Sequence, residues 1–240
     1  MIVNYIEPGW QIITQRSHGL LAAQICAQWK KINQPKRWVE ILIAAAEHDD
    51  VYNEFENDDL LNESGGPVNF KATTFRKDYC RRLIQMAETK SAFIALLISR
   101  HIQFVHGQEV TAKDFCKQLL NQEKNWMQIA GVNPDEVSRS YQLVEFCDAF
   151  SLLLCQGLVQ PEHRKIEISN GPDGNTYEMY ALGKNEISVT PWPFEQQSFE
   201  VCYESRMIPQ LQFETLKQFR DALKNAKVQT NIVKITSSKR

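Results

Sequence analysis

At 240 residues the chain is long enough for one large domain or a domain with a smaller appendage. Its 43% hydrophobic and 23% charged residues suit a protein with a substantial core. The 27 basic and 29 acidic side chains are mixed along the sequence to a formal net charge of −2, so the basic stripe of a dedicated nucleic-acid binder is absent. The start, MIVNYIEPGW, lacks the basic residues and apolar run of a secretory signal, and the longest apolar runs, 41–46 and 92–98, fall far short of a membrane span. The six cysteines (Cys26, Cys80, Cys116, Cys147, Cys155 and Cys202) include no Cys-x-x-Cys pair, and four lie within apolar helical patterns. They read as small buried hydrophobes in a reducing cytosol, so a cytoplasmic location is expected, with neither a disulfide framework nor a cysteine-ligated zinc site.

From residue 10 to 155 apolar residues recur at helical spacing. The first predicted helix covers 10–31 and carries Leu21, Ile25 and Trp29 on one stripe. The second starts after Pro35 and turns Trp38, Ile41, Leu42 and Ala45 inward. Residues 53–77 form a polar stretch containing Gly65, Gly66 and Pro67, which reads equally as a functional lid and as a solvated connection. Helices follow after Arg76, near 91–106 with Ile94, Leu97 and Phe104, and from Thr111 with Asp114 three residues on. A long helix over 134–155 opens on Asn133, Pro134 and Glu136, a capping box with proline at the first position. Past residue 160, segments 164–169, 176–182, 186–190 and 199–203 alternate apolar and polar residues between glycine- and proline-rich turns, which are strand signals. A helix near 213–226 and a short apolar segment, 228–235, end the chain. The expected organisation is a helical unit over 1–160 with a small β-rich α+β unit over 161–240 packed on it.

Only five histidines occur. His18 shares the stripe of Leu21, Ile25 and Trp29; His48 follows Ala45 by three residues, close to its helix's end, with Asp49 next; His101 follows Leu97 by four. Asp148 stands among Tyr141, Val144, Leu152 and Cys155, where an unpaired carboxylate is costly. One inward histidine is ordinarily a hydrogen-bonded core residue. Four separate helices that each aim a histidine or aspartate at the core can converge on a metal site. A His/His/Asp/Asp set suits a divalent iron, manganese, zinc or magnesium ion without choosing among them.

The order His18, His48-Asp49, Asp148 resembles the ligand pattern of HD-domain metal-dependent phosphohydrolases, with about thirty residues from His18 to the doublet and about a hundred more to Asp148. Within that superfamily the chain looks like an uncharacterised bacterial family. The segments that carry this likeness are 44–52 (AAAEHDDVY), the glycine-proline loop at 65–70, the helix at 97–101, 147–153 (CDAFSLL) and 191–194 (Pro-Trp-Pro-Phe). Val51 and Tyr52 stand where that family places a glycine and an aromatic. The resemblance implies a mainly α fold, an HD-like helical bundle with the small β-rich unit appended, and a metal held by His18, His48, Asp49 and Asp148. His101 falls where many members place a second-site or phosphate-binding histidine.

The remaining candidates stay open. Asp50 reads as a catalytic base or second-metal ligand, and equally as a helix-end cap or solvated residue. His106, about 140° round the helix from His101, is expected outside the site, and His163 at the surface. Glu145 reads as an orienting group or a solvated one. Arg76, Lys77, Arg81 and Arg82 form a basic cluster more in keeping with a solvated face than with a phosphate site. Residues 191–194 read as a packing plug joining the small unit to the helices, with pocket lining as the alternative. No phosphate-cradling glycine loop, Gly-x-Ser-x-Gly elbow or dinucleotide fingerprint occurs.

The leading expectation is a metal-dependent phosphoester hydrolase acting on a small phosphorylated molecule, with His101 stabilising developing charge or protonating the leaving group. Two other classes compete: a metal-binding sensor or interaction module without turnover, docking through the β unit, and oxidative chemistry at a two-iron site. Neither nucleic acid nor membrane is expected as a partner, and the sequence leaves substrate and oligomeric state open.

Overall fold

Residues 1–238 are described by a computed structural model. The chain opens on a hairpin, β1 (Ile2–Ile6) and β2 (Gly9–Ile13), where the sequence pattern suggested that a helix begins at residue 10. The turn at Glu7-Pro8 and the β-branched Ile2, Val3, Ile6, Ile12 and Ile13 favour strands here. The first helix, α1 (Gln15–Ala27), starts only at Thr14, whose hydroxyl accepts from Ser17 N–H and caps it. Then come α2 (Trp38–Glu47), α3 (Lys77–Glu88), α4 (Ala92–His106), α5 (Lys113–Ala130) and α6 (Pro134–Cys155), the last with the expected capping box.

The second half adds β3 (Ile166–Asn170), β4 (Thr176–Gly183), β5 (Glu186–Thr190), β6 (Ser198–Ile208), α7 (Leu216–Asn225) and β7 (Val228–Thr236). All seven strands form one sheet in the order β1-β2-β6-β7-β5-β4-β3, with β5 and β7 parallel and the other neighbours antiparallel. This corrects the expectation of a mainly α, HD-like bundle: the fold is α+β. The sheet is not confined to a small appendage, because the N-terminal hairpin joins it through β2 and β6. The apolar segment after α7 is a full strand, paired along β6.

Helices α1, α2, α4 and α6 enclose the main core around Leu21, Ile25, Ile41, Ala44, Leu97, Phe146 and Phe150. The helical layer meets the sheet through α1 against β6 and α6 against β3. Strand β2 pairs only with Arg206–Ile208 of β6, which leaves the earlier part of that edge without a strand partner. Two α1 side chains satisfy it. Ser17 Oγ donates to Glu204 C=O (3.1 Å) and accepts from Glu204 N–H (3.0 Å), and the Gln24 amide exchanges two bonds with Cys202 (2.8 and 3.0 Å). At the end of α1, Phe194 is fully buried against Trp29, Phe146 and Phe199, and Lys30 N–H donates to Pro193 C=O (3.0 Å). A second core joins Ile12, Leu60, Ile208, Phe213, Phe219 and Leu223, and so binds the long 53–77 loop to the hairpin and α7.

Helices α1 and α2 approach unusually closely at Gly19, where a Cβ would lie 2.4 Å from Ala46 O. Glycine is therefore required beside His18, and the approach brings that histidine against the end of α2. Gly19→Ala is expected to lower stability in urea by about 1–3 kcal/mol through overpacking. Gly183→Ala, with open space around it and an ordinary backbone angle, should stay within about 0.5 kcal/mol of wild type.

Candidate metal centre

Helix α2 ends at Glu47, and His48 is its capping residue in a turn closed by Asp50 N–H to Glu47 C=O (3.1 Å). Leaving the helix there lets two successive residues face one point. His48 turns inward and is fully buried, while Asp49, partly buried, reaches the same centre. His18 comes from α1, His101 from α4 and Asp148 from α6.

The hydrogen bonds define which imidazole atoms face the centre. Ser151 Oγ donates to Asp148 C=O (2.8 Å), so its remaining role toward His18 Nδ1, 2.6 Å away, is to accept. His18 therefore carries a proton on Nδ1. His48 Nδ1 lies 2.9 Å from Ala45 C=O, which only accepts, so it too bears a proton. Both rings consequently turn Nε2 to the centre, and the two Nε2 atoms lie 2.9 Å apart. Two lone pairs at that distance repel unless a proton or a cation lies between them.

Acids surround the gap. Asp148 Oδ1 lies 3.2 Å from His18 Nε2 and 3.3 Å from His48 Nε2, buried yet without a well-aligned hydrogen bond. Asp49 Oδ2 lies 3.8 Å from both Nε2 atoms, and its Oδ1 lies 3.7 Å from His101 Nε2. His18, His48 and Asp49 form one group, and His48, His101 and Asp148 another, in which the ligand atoms lie within 4.8 Å of one another. These groups can hold a metal ion. A spacing of 2.9 Å fits two imidazoles side by side around an ion with bonds of about 2.1 Å, and the mixed nitrogen and oxygen donors suit a borderline cation.

Electrostatics agree. Burial disfavours charge on His48, but the Asp148 and Asp49 carboxylates outweigh it and push its pKa up to about 9. Burial disfavours ionised Asp49 as well, yet His48 and then His101 bring it down to about 2. Asp148 is likewise held well below the usual carboxylate range, chiefly by His48 against the burial cost. The acids stay ionised, and without a metal His48 keeps the proton that fills the gap.

Several supporting groups were not singled out from the sequence. Gln15 Nε2 donates to Asp49 Oδ2 (2.7 Å), and Gln15 N–H donates to the buried Glu54 (2.9 Å). Ser151 orients His18. Among the described residues the buried hydroxyl of Tyr141 has no hydrogen-bond partner. A signal existed for two of these, since Gln15 lies three residues before His18 and Ser151 three after Asp148, each on its ligand's helical stripe. Glu145, half-buried, is pushed up by burial and then by Asp148.

Asp50 does not join the cluster: it pairs with Arg16 (3.0 Å), whose guanidinium also donates to Asp50 C=O. His163 is exposed and donates to Ala181 C=O (2.6 Å). A cavity of about 270 Å³ opens beside the centre, lined by Asp49, His101 and Asp148 on one side and by Phe70, Lys71 and Thr73 of the long loop on another. That loop is tied down, with Phe70 N–H donating to Met1 C=O (2.8 Å) and Asn69 Nδ2 to Val3 C=O (2.8 Å). His106 lies outside the ligand groups but lines this cavity. Of the basic cluster, Arg76 pairs with Asp78 (2.8 Å) and stacks over Tyr79.

Comparison with known proteins places the chain in a family. A model of proteins of unknown function, DUF3891, matches residues 1–210, and the chain belongs to that family. No curated protein and no solved structure matches it. Among the described residues no helix is long and apolar enough to cross a membrane.

The raised pKa of His48 sets a pH dependence for the metal-free protein. A group whose pKa rises on folding contributes stability below its unfolded value, near 6.5, and loses it as pH climbs through the folded value, about 9. Chelator-treated protein should therefore lose up to about 3 kcal/mol of urea stability between those limits. A flat profile across that range would contradict the proton-filled gap, and His48→Gln should remove most of the slope.

Proposed function

We propose that this chain is a metal-dependent hydrolase of a phosphoester, with His18, His48, Asp49 and Asp148 holding a divalent ion. The observation that carries the reading is the facing pair of Nε2 lone pairs at 2.9 Å, with both Nδ1 atoms already committed elsewhere. Iron, manganese, zinc and magnesium all suit a nitrogen-and-carboxylate set of this kind. Such an ion lowers the pKa of a coordinated water and polarises a phosphoryl oxygen.

The chain's own groups supply position and exclusion. Ser151 and the Ala45 carbonyl fix the two imidazoles, and Gln15 holds one oxygen of Asp49. His101, 3.7 Å from Asp49 and on the cavity wall, is placed to stabilise charge developing on a bound phosphoryl group. A structural metal site is closed by protein ligands, whereas this centre borders a cavity sized for a small molecule, which favours turnover.

Elemental analysis after loading with manganese, zinc or iron should find about one ion or more per chain. His48→Ala, Asp49→Ala and Asp148→Ala should each lose it, while His163→Ala keeps it. Against a panel of phosphomonoesters and phosphodiesters the loaded protein should release phosphate or alcohol, and Asp148→Ala should reduce that rate at least about 100-fold. Metal retained with no ester cleaved would leave a binding module. No metal bound would remove both halves of the reading.

A further inference from the structure

His106 ends α4 and is buried, 5% exposed. Its Nδ1 lies 2.6 Å from Glu109 Oε1, and a carboxylate accepts, so the Nδ1 proton is fixed there. The other oxygen of Glu109 accepts from Phe75 N–H (2.9 Å), at the end of the long loop. The Phe75 ring closes over the imidazole edge-on, with centroids 5.6 Å apart. One carboxylate thus holds both a cavity histidine and the loop that roofs the cavity. These two donors, Phe75 N–H first and His106 second, keep Glu109 below the usual carboxylate range.

What remains available on the wall is cationic or neutral. Asp49 and Asp148 belong to the metal centre, and Glu109 is occupied on both oxygens. Among the described residues Nε2 of His106 has no protein partner, and Lys71, on the loop beside Phe70, has no acid partner. A ligand in this cavity borders both the candidate metal centre and these two groups. Nε2 can accept from a hydroxyl of a monoanionic phosphate or, when protonated, donate to a phosphoryl oxygen, with Glu109 balancing the charge.

We propose that His106 Nε2, positioned by Glu109, is the cavity's contact to a small phosphoryl-bearing anion, and that Glu109 makes this contact depend on the docked 70–75 segment. The proposal rests on the metal-site reading for where the anion's other end lies, and it assigns the contact to a histidine that helical phase alone places off the site.

The test uses the full chain, zinc-loaded and labelled with ¹⁵N-histidine, titrated with inorganic phosphate. The ring nitrogens of five histidines are few enough to assign individually. The His106 Nε2 signal is expected to shift on binding while that of His163 stays. His106→Gln should weaken phosphate at least about tenfold with metal content unchanged, and Glu109→Gln should weaken it less and speed amide exchange at 70–75. Phosphate that binds without moving His106, or that binds His106→Gln as well as wild type, overturns the proposal, as does the absence of any binding. A His106 shift in a chain that cleaves no ester supports the contact and defeats only the hydrolase reading. If zinc does not bind, the same titration of the metal-free chain decides: a shift at His106 supports the contact and none overturns it.

Discussion

Everything at the centre of this protein follows from two imidazole nitrogens held 2.9 Å apart with nothing in the protein between them. Neither ring can turn away. Ser151 fixes the far side of one and the Ala45 carbonyl the far side of the other, and both lie in a fully buried layer between α1, α2 and α6. Apolar packing alone would not select such a contact, because desolvated lone pairs are unfavourable neighbours. A positive charge in the gap relieves the contact, and the two aspartates supply the field that favours one there. Close packing at Gly19 and the charge balance at the centre are thus one constraint seen from two sides.

A metal ion held by this cluster would compete with a proton for the same place. With His48 pushed up to about 9, the metal-free centre at neutral pH is a proton shared among bases rather than an open bowl of acids. A cation bound there would have to displace that proton, which would couple its occupancy to pH. The cavity lies at the edge of this cluster, where Asp49, His101 and Asp148 reach the surface that the long loop covers.

The clustering of these residues was legible because most of them sit on helices whose apolar stripes state their phase. His18, His101 and Asp148 inherit the inward direction of Leu21, Leu97 and Val144, and the structure brings all of them together with His48 and Asp49. Phase reasoning lost its grip where helices end. Asp50, one residue past Asp49 in the turn, swings out to Arg16. His106 lies about 140° from His101, yet α4 borders the cavity on two of its sides, so both histidines line it. The architecture was less legible for a related reason. The Ile12–Ile13 step of β2 runs directly into the α1 stripe, so a strand and a helix merge into one apolar pattern, and 228–236 carries too few inward residues to announce a strand paired along β6 and, near its end, with β5. Sheet membership there is fixed by partners 22 residues away at the nearest (Arg206 against Val228), which no local window contains.

The position of β7 sets the order in which the molecule can be completed. Strands β1, β2 and β6 form one three-stranded ribbon and β5, β4 and β3 another, and only the final strand lies between them. A chain emerging from the ribosome can gather its helices, and with them the histidine cluster, while the two ribbons still have no ladder in common. Strand β7, the last of the described strands, joins the sheet by pairing antiparallel with β6 and parallel with β5. Its arrival fixes β6, whose free edge rests on Ser17 and Gln24, one residue before and six after the first of the buried histidines. Helix α1 is therefore tied to a strand that β7, some 200 residues further along, completes in the sheet.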